Sequence, residues 1–305
     1  MRMITLTTDF GSEDWFVGTM KGVILSLNPR AVIVDVTHGI PPGDIRAGAF
    51  ALASAYRYFP RHTVHLAVVD PGVGSNRAAI AVLTADHVFI GPDNGVLSLA
   101  LFQEPMRSIR QLEHDRFFLP EVSRTFHGRD IFAPVAAHVS KGLSLEKLGR
   151  RLEDYQRLDF AEPRANDQLL TGEVIYVDRF GNAITNISAK HLDAWTNSRL
   201  ISAENRAGTR STAFLTSHSS RQKKSVTQRH PSPTRSCEGL VVEIKRGARR
   251  PRIPFVDFYQ AVPKGRPLAL IGSTGYLEIA VNGGDAAKRL HLRIGEGVSV
   301  RLDVA

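Results

Sequence analysis

Three carboxylates stand where strand-like runs end: Asp9 in TTDFGSEDW, Asp35 in VIVDVTH and Asp70 in VVDPGVGSNR. In an open α/β sheet, ligands collect at the carboxyl ends of strands. Glycine follows Asp9 and Asp70 within two residues, so the backbone there can turn sharply and come close to a ligand. Asp35 lacks such a turn and reads as a structural, hydrogen-bonding carboxylate. His127, in FHGRDIFAP, lies beside Gly128 just ahead of a helical pattern, where a turn exposes its imidazole for acid–base or hydrogen-bonding work. Asp93 and Asn94, in GPDNG, read as turn residues. His62, His65, His87 and His138 have no supporting context.

Asp9, His38, Asp70, Asp93 and His127 are of the types that hold a hard or borderline metal. They would have to converge from five scattered loops, and the sequence has no HExxH, no Cys pair and no His-x-His, so a metal site is disfavoured. The sequence also lacks GxxxxGK[ST], a GxGxxG that opens a helix, and GxSxG. The second half offers DRFGNAITNI (Asp178–Ile187) and IGSTGYLEIAVNGG (Ile271–Gly284). Asn182 presents both a donor and an acceptor, as a base edge requires, and Phe180 offers a ring for stacking. By pattern alone, both segments also fit ordinary hairpin turns.

The elements that must carry these residues change rhythm along the chain. Ile4–Phe10, Ala31–Thr37 and Thr63–Val69 read as strands, Asp14–Leu27, Asp44–Phe59 and Asp130–Ser140 as helices, and Ala78–Leu83 with His87–Ile90 as a hairpin. Strands separated by amphipathic helices predict an α/β/α sandwich with a largely parallel sheet. Beyond Glu162 the pattern is of short strands with few helices: Gly172–Val177, Ala183–Ile187, Leu240–Ile244, Ile253–Phe258, Pro267–Ile271, Tyr276–Val281 and Val298–Leu302. That predicts a small β-barrel or sandwich. The expected domains are residues 1–162 and 169–305, joined by the polar linker EPRANDQ.

Composition bounds the partners. The 305 residues are 43% hydrophobic and 23% charged, which excludes wholesale disorder, a collagen repeat and a disulfide scaffold. No apolar run reaches the ~18 residues of a membrane span, and the N-terminus carries no secretory signal. The single cysteine, Cys237, fits a reducing cytosol, so a cytoplasmic protein is expected. Net charge is +9, but seven of the basic residues fall in Asn205–Ser236, which contains no Asp or Glu; the remainder carries +2. Rich in Ser and Thr, this 205–236 stretch reads as a solvated, flexible insertion. Nucleic-acid binding is therefore disfavoured for the chain as a whole, and would fall to this loop.

Taken together, TTDFG, VVDPGVGS followed by Arg77, FHGRDIFAP, DRFGN with TNI, and GSTGYLEIAVNGG resemble the S-adenosyl-L-methionine (SAM) hydrolase family, also called SAM hydroxide adenosyltransferases and related to the 5′-fluorinase and 5′-chlorinase. The motifs occur in order through both halves. The resemblance implies an N-terminal α/β/α domain, a C-terminal β-barrel, and a homotrimer with substrate between neighbouring subunits. It implies that Asp70, Arg77 and His127 are catalytic and that Asp9 holds the ribose hydroxyls. Phe180 and Asn182 then flank and read the adenine, with the backbone around Val281 nearby. Asp178, Ser273 and Glu278 lie near the methionine amino and carboxylate groups, and Asp14, Phe126 and Gly128 complete the substrate site.

The expected reaction is in-line attack of water or hydroxide at the ribose C5′ of SAM, giving adenosine and L-methionine with no cofactor. Asp70 reads as a general base, or else as an orienting group while Arg77 and His127 stabilise hydroxide. The halogenases resemble this chain but carry tyrosine where Asp70 stands, and the fluorinase has threonine where Val73 stands and arginine where Thr274 stands. A carboxylate ~4 Å from a halide would cost about 4 kcal/mol at an effective dielectric of 20, which disfavours the halogenase alternative. A binding module that keeps the adenosine site without chemistry, or recruits RNA through its basic loop, is the other class of reading.

Overall fold

A computed structural model describes residues 3–206, 240–245 and 251–302. The chain divides into two compact units, Met1–Asp159 and Phe160–Ala305.

The first unit is built on β1 (Ile4–Thr8), α1 (Phe16–Leu27), β2 (Ile33–Thr37), α2 (Ile45–Ala55), β3 (Val64–Val68), β4 (Ala79–Thr84), β5 (Val88–Pro92), α3 (Ser98–Phe102), β6 (Met106–Gln111), α4 (Ala133–Ser140) and β7 (Arg151–Leu152). Its seven-stranded sheet runs β2-β1-β3-β5-β4-β6-β7. The pairings among β2, β1, β3 and β5 are parallel; those of β4 with β5 and β6, and of β6 with β7, are antiparallel. Alternation along the strands separates the layers. Ile4, Leu6, Val64, Leu66 and Val68 pack with Met20 and Ile24 of α1 and with Val135, Ala136 and Val139 of α4. The opposite face meets Tyr56, at the end of α2, whose ring packs edge-on against His65 and Phe89. Small residues let α2 approach the sheet closely: a Cβ on Gly48 would lie 2.8 Å from Val69.

Helix boundaries follow local chemistry. Asp44 caps α2 by accepting the Ala47 N–H at 2.9 Å. α1 stops at Asn28, one residue before Pro29, and Asn28 Nδ2 donates to Ser140 Oγ at 2.8 Å, tying its end to α4. Instead of starting as a helix at Asp130, the α4 segment begins with a π-helical turn over Gly128–Phe132. β2 is an edge strand, and its apolar run is only half covered.

The second unit contains β8 (Arg164–Ala165), β9 (Leu170–Val177), β10 (Ala183–Ser188), α5 (Ala189–Arg206), β11 (Leu240–Ile244), β12 (Arg252–Pro254), β13 (Pro267–Ile271), β14 (Tyr276–Val281), α6 (Ala286–Leu290) and β15 (Gly297–Leu302). Seven strands follow the order β12-β11-β15-β9-β10-β14-β13, and β8 pairs with β9. Phe255, just past β12, bridges to Ala269 of β13, so the antiparallel sheet curls into a nearly closed barrel. Val174, Ile187, Val242, Leu277, Ile279 and Val300 fill its centre. The expected strand Ile253–Phe258 is shorter, ending at Pro254, because proline cannot donate to the ladder.

Two α-helices are described in this half, and α5 is the longest helix described, at 18 residues. Leu192 and Trp195 anchor it in the barrel core. Its Asn205 and Arg206 are helical; the rest of the expected 205–236 insertion, and Cys237, lie outside the described residues. Among the described residues no helix is long and apolar enough to cross a membrane.

Candidate active site

In the order β2-β1-β3 the chain leaves β1 to one side and later returns to the other. The carboxyl ends of β1 and β3 therefore form a topological switch point, the place where ligands collect in such sheets. Asp9 follows β1 directly and Asp70 lies two residues past β3. The two loops are linked. Asp9 Oδ2 accepts the Gly43 N–H at 2.8 Å, and a Cβ on Gly43, at φ +73°, would lie 3.6 Å from Pro71 Cβ.

The Asp70 loop folds back on itself: Val73 N–H donates to the Asp70 carbonyl at 3.1 Å, and Ser75 N–H to that of Gly72 at 3.1 Å. This return aims Arg77 at Asp70. Arg77 Nε lies 2.9 Å from both carboxylate oxygens, and Nη2 also donates to Oδ2. Both side chains are nearly buried, at 10% and 5% exposure for Arg77 and Asp70. The guanidinium also sits 5.4 Å from the Phe132 ring centre.

His127 reaches the same guanidinium from the π-helical turn: its Nδ1 lies 2.8 Å from Arg77 Nη2. Arginine offers only donors, so Nδ1 accepts and the neutral imidazole carries its proton on Nε2. Burial first, and then the neighbouring Arg77, holds the His127 pKa below the ordinary 6.5. The segment that delivers His127 is pinned by the buried Asp130, which accepts the Ser123 N–H at 2.8 Å, the Ser123 hydroxyl at 2.7 Å and Arg129 Nε at 2.5 Å. Burial works against the charge on Asp130, but these hydrogen bonds outweigh it and hold the carboxyl below the usual range. Phe126 and Gly128 lie in an aromatic cluster with Phe10 and Phe16; Phe126 meets both rings edge-on, 5.7 and 5.1 Å between centres. Asp14 is exposed on the loop before α1.

The remaining candidates lie in the second unit. Asp178 closes the β9–β10 turn: Oδ1 accepts the Phe180 and Asn182 N–H groups at 2.9 and 2.8 Å, and Oδ2 accepts Asn182 Nδ2 at 3.1 Å. One amide N–H and the carbonyl of Asn182 remain for a ligand. This turn leaves the Phe180 ring 76% exposed. Gly181, at φ +82°, admits the close approach of Asp285, against which a Cβ would lie at 2.1 Å.

Glu278, on β14, is buried, and its Oε1 accepts the Tyr259 hydroxyl at 2.6 Å. Burial pushes the Glu278 pKa up, Tyr259 opposes that, and Asp178 adds to it. Ser273 is exposed on the turn between β13 and β14, and Val281 is buried at the end of β14. Tyr259 is the partner of a candidate residue that sequence reasoning missed; its sequence signal is only the aromatic pair Phe258-Tyr259 ahead of β13.

Other groups are held away from this chemistry. Asp35 pairs with Lys21 at 2.6 Å, and Asp93 accepts the Gln156 N–H at 2.7 Å. Among the described residues no three His, Cys, Asp or Glu side chains form a metal-holding group.

Comparisons with known proteins follow the same division of the chain. Residues 4–149 match the model of the SAM hydroxide adenosyltransferase N-terminal domain, and residues 172–227 and 226–299 match that of its C-terminal domain. An (R)-S-adenosyl-L-methionine hydrolase of Thermus thermophilus is 37% identical over 99% of this chain and 100% of its own length. An (R)-S-adenosyl-L-methionine hydrolase of Salinispora tropica is 36% identical over 97% of each chain. The crystal structure of an uncharacterised conserved protein from Thermotoga maritima superposes with a TM-score of 0.79 at 34% identity, covering 98% of this chain and 99% of that one.

Proposed function

The chain belongs to the SAM hydroxide adenosyltransferase family, and on that premise we propose that it hydrolyses S-adenosyl-L-methionine to adenosine and L-methionine. The oxygen of water or hydroxide attacks the ribose C5′ in line with the sulfur. The C5′–O bond forms as the C5′–S bond breaks, the electron pair leaves on a neutral methionine thioether, and any water proton passes to solvent. The sulfonium is already a good leaving group, so this reaction calls for no cofactor. The enzyme contributes alignment and exclusion of bulk solvent.

The observation that carries this reading is the closed Asp70–Arg77–His127 cluster at the sheet's switch point. His127 Nδ1 is occupied by Arg77 and Nε2 carries the proton, so the imidazole serves as a donor and not as the base. Asp70 keeps lone pairs beyond those Arg77 uses and orients the nucleophile, while the guanidinium stabilises hydroxide character. The carboxylate disfavours a halide in the same place.

Around this centre we assign Asp9 to the ribose hydroxyls, Phe180, Asn182 and the backbone at Val281 to the adenine, and Asp178, Ser273 and Glu278 to the methionine end. Asp14, Phe126 and Gly128 complete the pocket. The exposed Phe180 ring supports a site finished by a neighbouring copy, in a cytoplasmic homotrimer.

Incubation with SAM and chromatography for adenosine tests the reaction. Adenosine should form, and Asp70→Ala and His127→Ala should each slow its formation by about a hundredfold or more; no adenosine, or formation indifferent to both substitutions, rejects the proposal. Asp70→Asn separates the two roles of the carboxylate. A basic limb of the pH–rate profile that only shifts supports orientation of hydroxide, and near-total loss at every pH supports a general base.

A further inference from the structure

His38 takes no part in the chemistry above, yet it grips the turn that carries Asp9 in two ways. Its backbone carbonyl accepts the Gly11 N–H at 2.9 Å, and its Nδ1 lies 2.8 Å from Thr8 Oγ1. Thr8 is fully buried, and its hydroxyl oxygen also accepts the Phe10 N–H at 3.3 Å. Asp9 is thus flanked on both sides by atoms that His38 fixes.

The imidazole is itself held. Its Nε2 lies 3.1 Å from Asp35 Oδ1, close in distance though not linear, and Asp35 Oδ2 accepts Lys21 Nζ at 2.6 Å. A carboxylate beside Nε2 favours the proton there, which leaves Nδ1 to accept from the Thr8 hydroxyl. The Thr8 oxygen then has its lone pairs free for the Phe10 N–H. The donors then run one way from the Phe10 N–H to Thr8 Oγ1 and from the Thr8 hydroxyl to His38 Nδ1, while Nε2 faces Asp35, which also accepts from Lys21. The chain ends on the backbone of the residue after Asp9, whose own Oδ2 is fixed by Gly43 and whose Oδ1 stays available.

We propose that His38 is a positioning residue for ribose recognition: by orienting Thr8 and the 8–11 turn, it aims the free oxygen of Asp9 at the sugar hydroxyls. The inference rests on the reading of Asp9 given above. Because His38 touches no reacting atom, its loss should raise KM for SAM more than it lowers kcat. Its effect should also depend on whether the ligand has ribose hydroxyls, which a general weakening of the fold would not discriminate.

The test is calorimetric binding of adenosine and of 2′,3′-dideoxyadenosine to the full chain, alongside SAM kinetics. The wild type should prefer adenosine. His38→Ala should narrow that preference by about tenfold, the scale of one well-placed hydrogen bond. His38→Asn, whose Oδ1 can accept from Thr8, should restore most of it. Thr8→Val, which keeps shape and removes the hydroxyl, should narrow it as His38→Ala does, and carries the test if His38→Ala does not fold. An unchanged preference, or equal weakening of both nucleosides, overturns the proposal. A wild type that turns over no SAM and binds neither nucleoside overturns the functional reading and this inference with it.

Discussion

Arg77 Nη2 lies 2.8 Å from His127 Nδ1, so a guanidinium and an imidazole fifty residues apart share one hydrogen bond whose direction is fixed. Protonating His127 would put an N–H on Nδ1, facing the donors of Arg77. The acid form is therefore the one the site opposes, and burial opposes it further, which keeps the His127 pKa below 6.5. Activity should be flat through neutral pH and fall only below the ordinary histidine range. His127→Asn places an amide oxygen where Nδ1 accepts; it should keep part of the rate and lose the acid limb. His127→Ala should cost on the order of 10²–10³ in kcat, as loss of a polar stabilising group does. A pH–rate series on the three proteins decides this, and an acid limb that persists in His127→Asn would assign it to another group.

Gly74 joins the two loops that bring this cluster together. At φ +77° it adopts a left-handed backbone, and a Cβ there would lie 2.3 Å from the Arg124 carbonyl oxygen. Gly74→Ala should therefore cost more than the ~1–2 kcal/mol of left-handed strain alone, because a backbone atom must also move. The 70–77 and 123–127 segments would separate, and kcat should drop by roughly tenfold or more, since misplacement of ~1 Å can cost 10². Thermal denaturation and kinetics of one variant check both halves; unchanged kcat would show that the loops are not coupled.

The strand ends bearing Asp9 and Asp70 were legible because apolar runs closing on Asp and Gly have few other meanings. The partnership of Arg77 with Asp70 was not, since a lone arginine seven residues on has no local signature, and only the order of motifs pointed to it. α5 is hard to read in sequence because, among its described side chains, Leu192 and Trp195 are the large apolar anchors in a mostly polar stretch. β6, MRSIRQ, escaped because it is rich in charge for a strand. His65 and His87 have no local sequence context, yet they form a buried pair, 3.3 Å apart, that only the register of β3 and β5 creates.

That pair makes the first unit acid-sensitive. Burial, and then His87, pushes the His65 pKa down to about 3, while the unfolded chain takes up its proton near 6.5. Between those values the unfolded state binds more protons. The stabilisation is complete above about 6.5 and is lost as pH falls toward about 3. Tm should decline across that window. His65→Gln, which can still meet the Thr5 hydroxyl that His65 Nδ1 contacts at 2.8 Å, should lower Tm at pH 7 but flatten the decline. Calorimetry at pH 7 and 5 on both proteins measures the difference; parallel declines would place the sensitivity elsewhere.

The assignment of Glu278 to the methionine end, as proposed above, predicts a pH dependence that Tyr259 tunes. The Tyr259 hydroxyl donates to Glu278 Oε1 at 2.6 Å and so favours the ionised carboxylate, against burial and Asp178, which together leave the Glu278 pKa raised. An α-ammonium is best held by the ionised form. Removing the donor with Tyr259→Phe should raise the Glu278 pKa further, so protonation would begin at a higher pH. KM for SAM should then increase more at pH 6 than at pH 8, by up to about tenfold for the loss of one hydrogen bond to a charged group, with kcat at saturation changed less. A KM ratio between variant and wild type that is the same at both pH values would mean that Tyr259 only packs beside Glu278 and does not tune its charge.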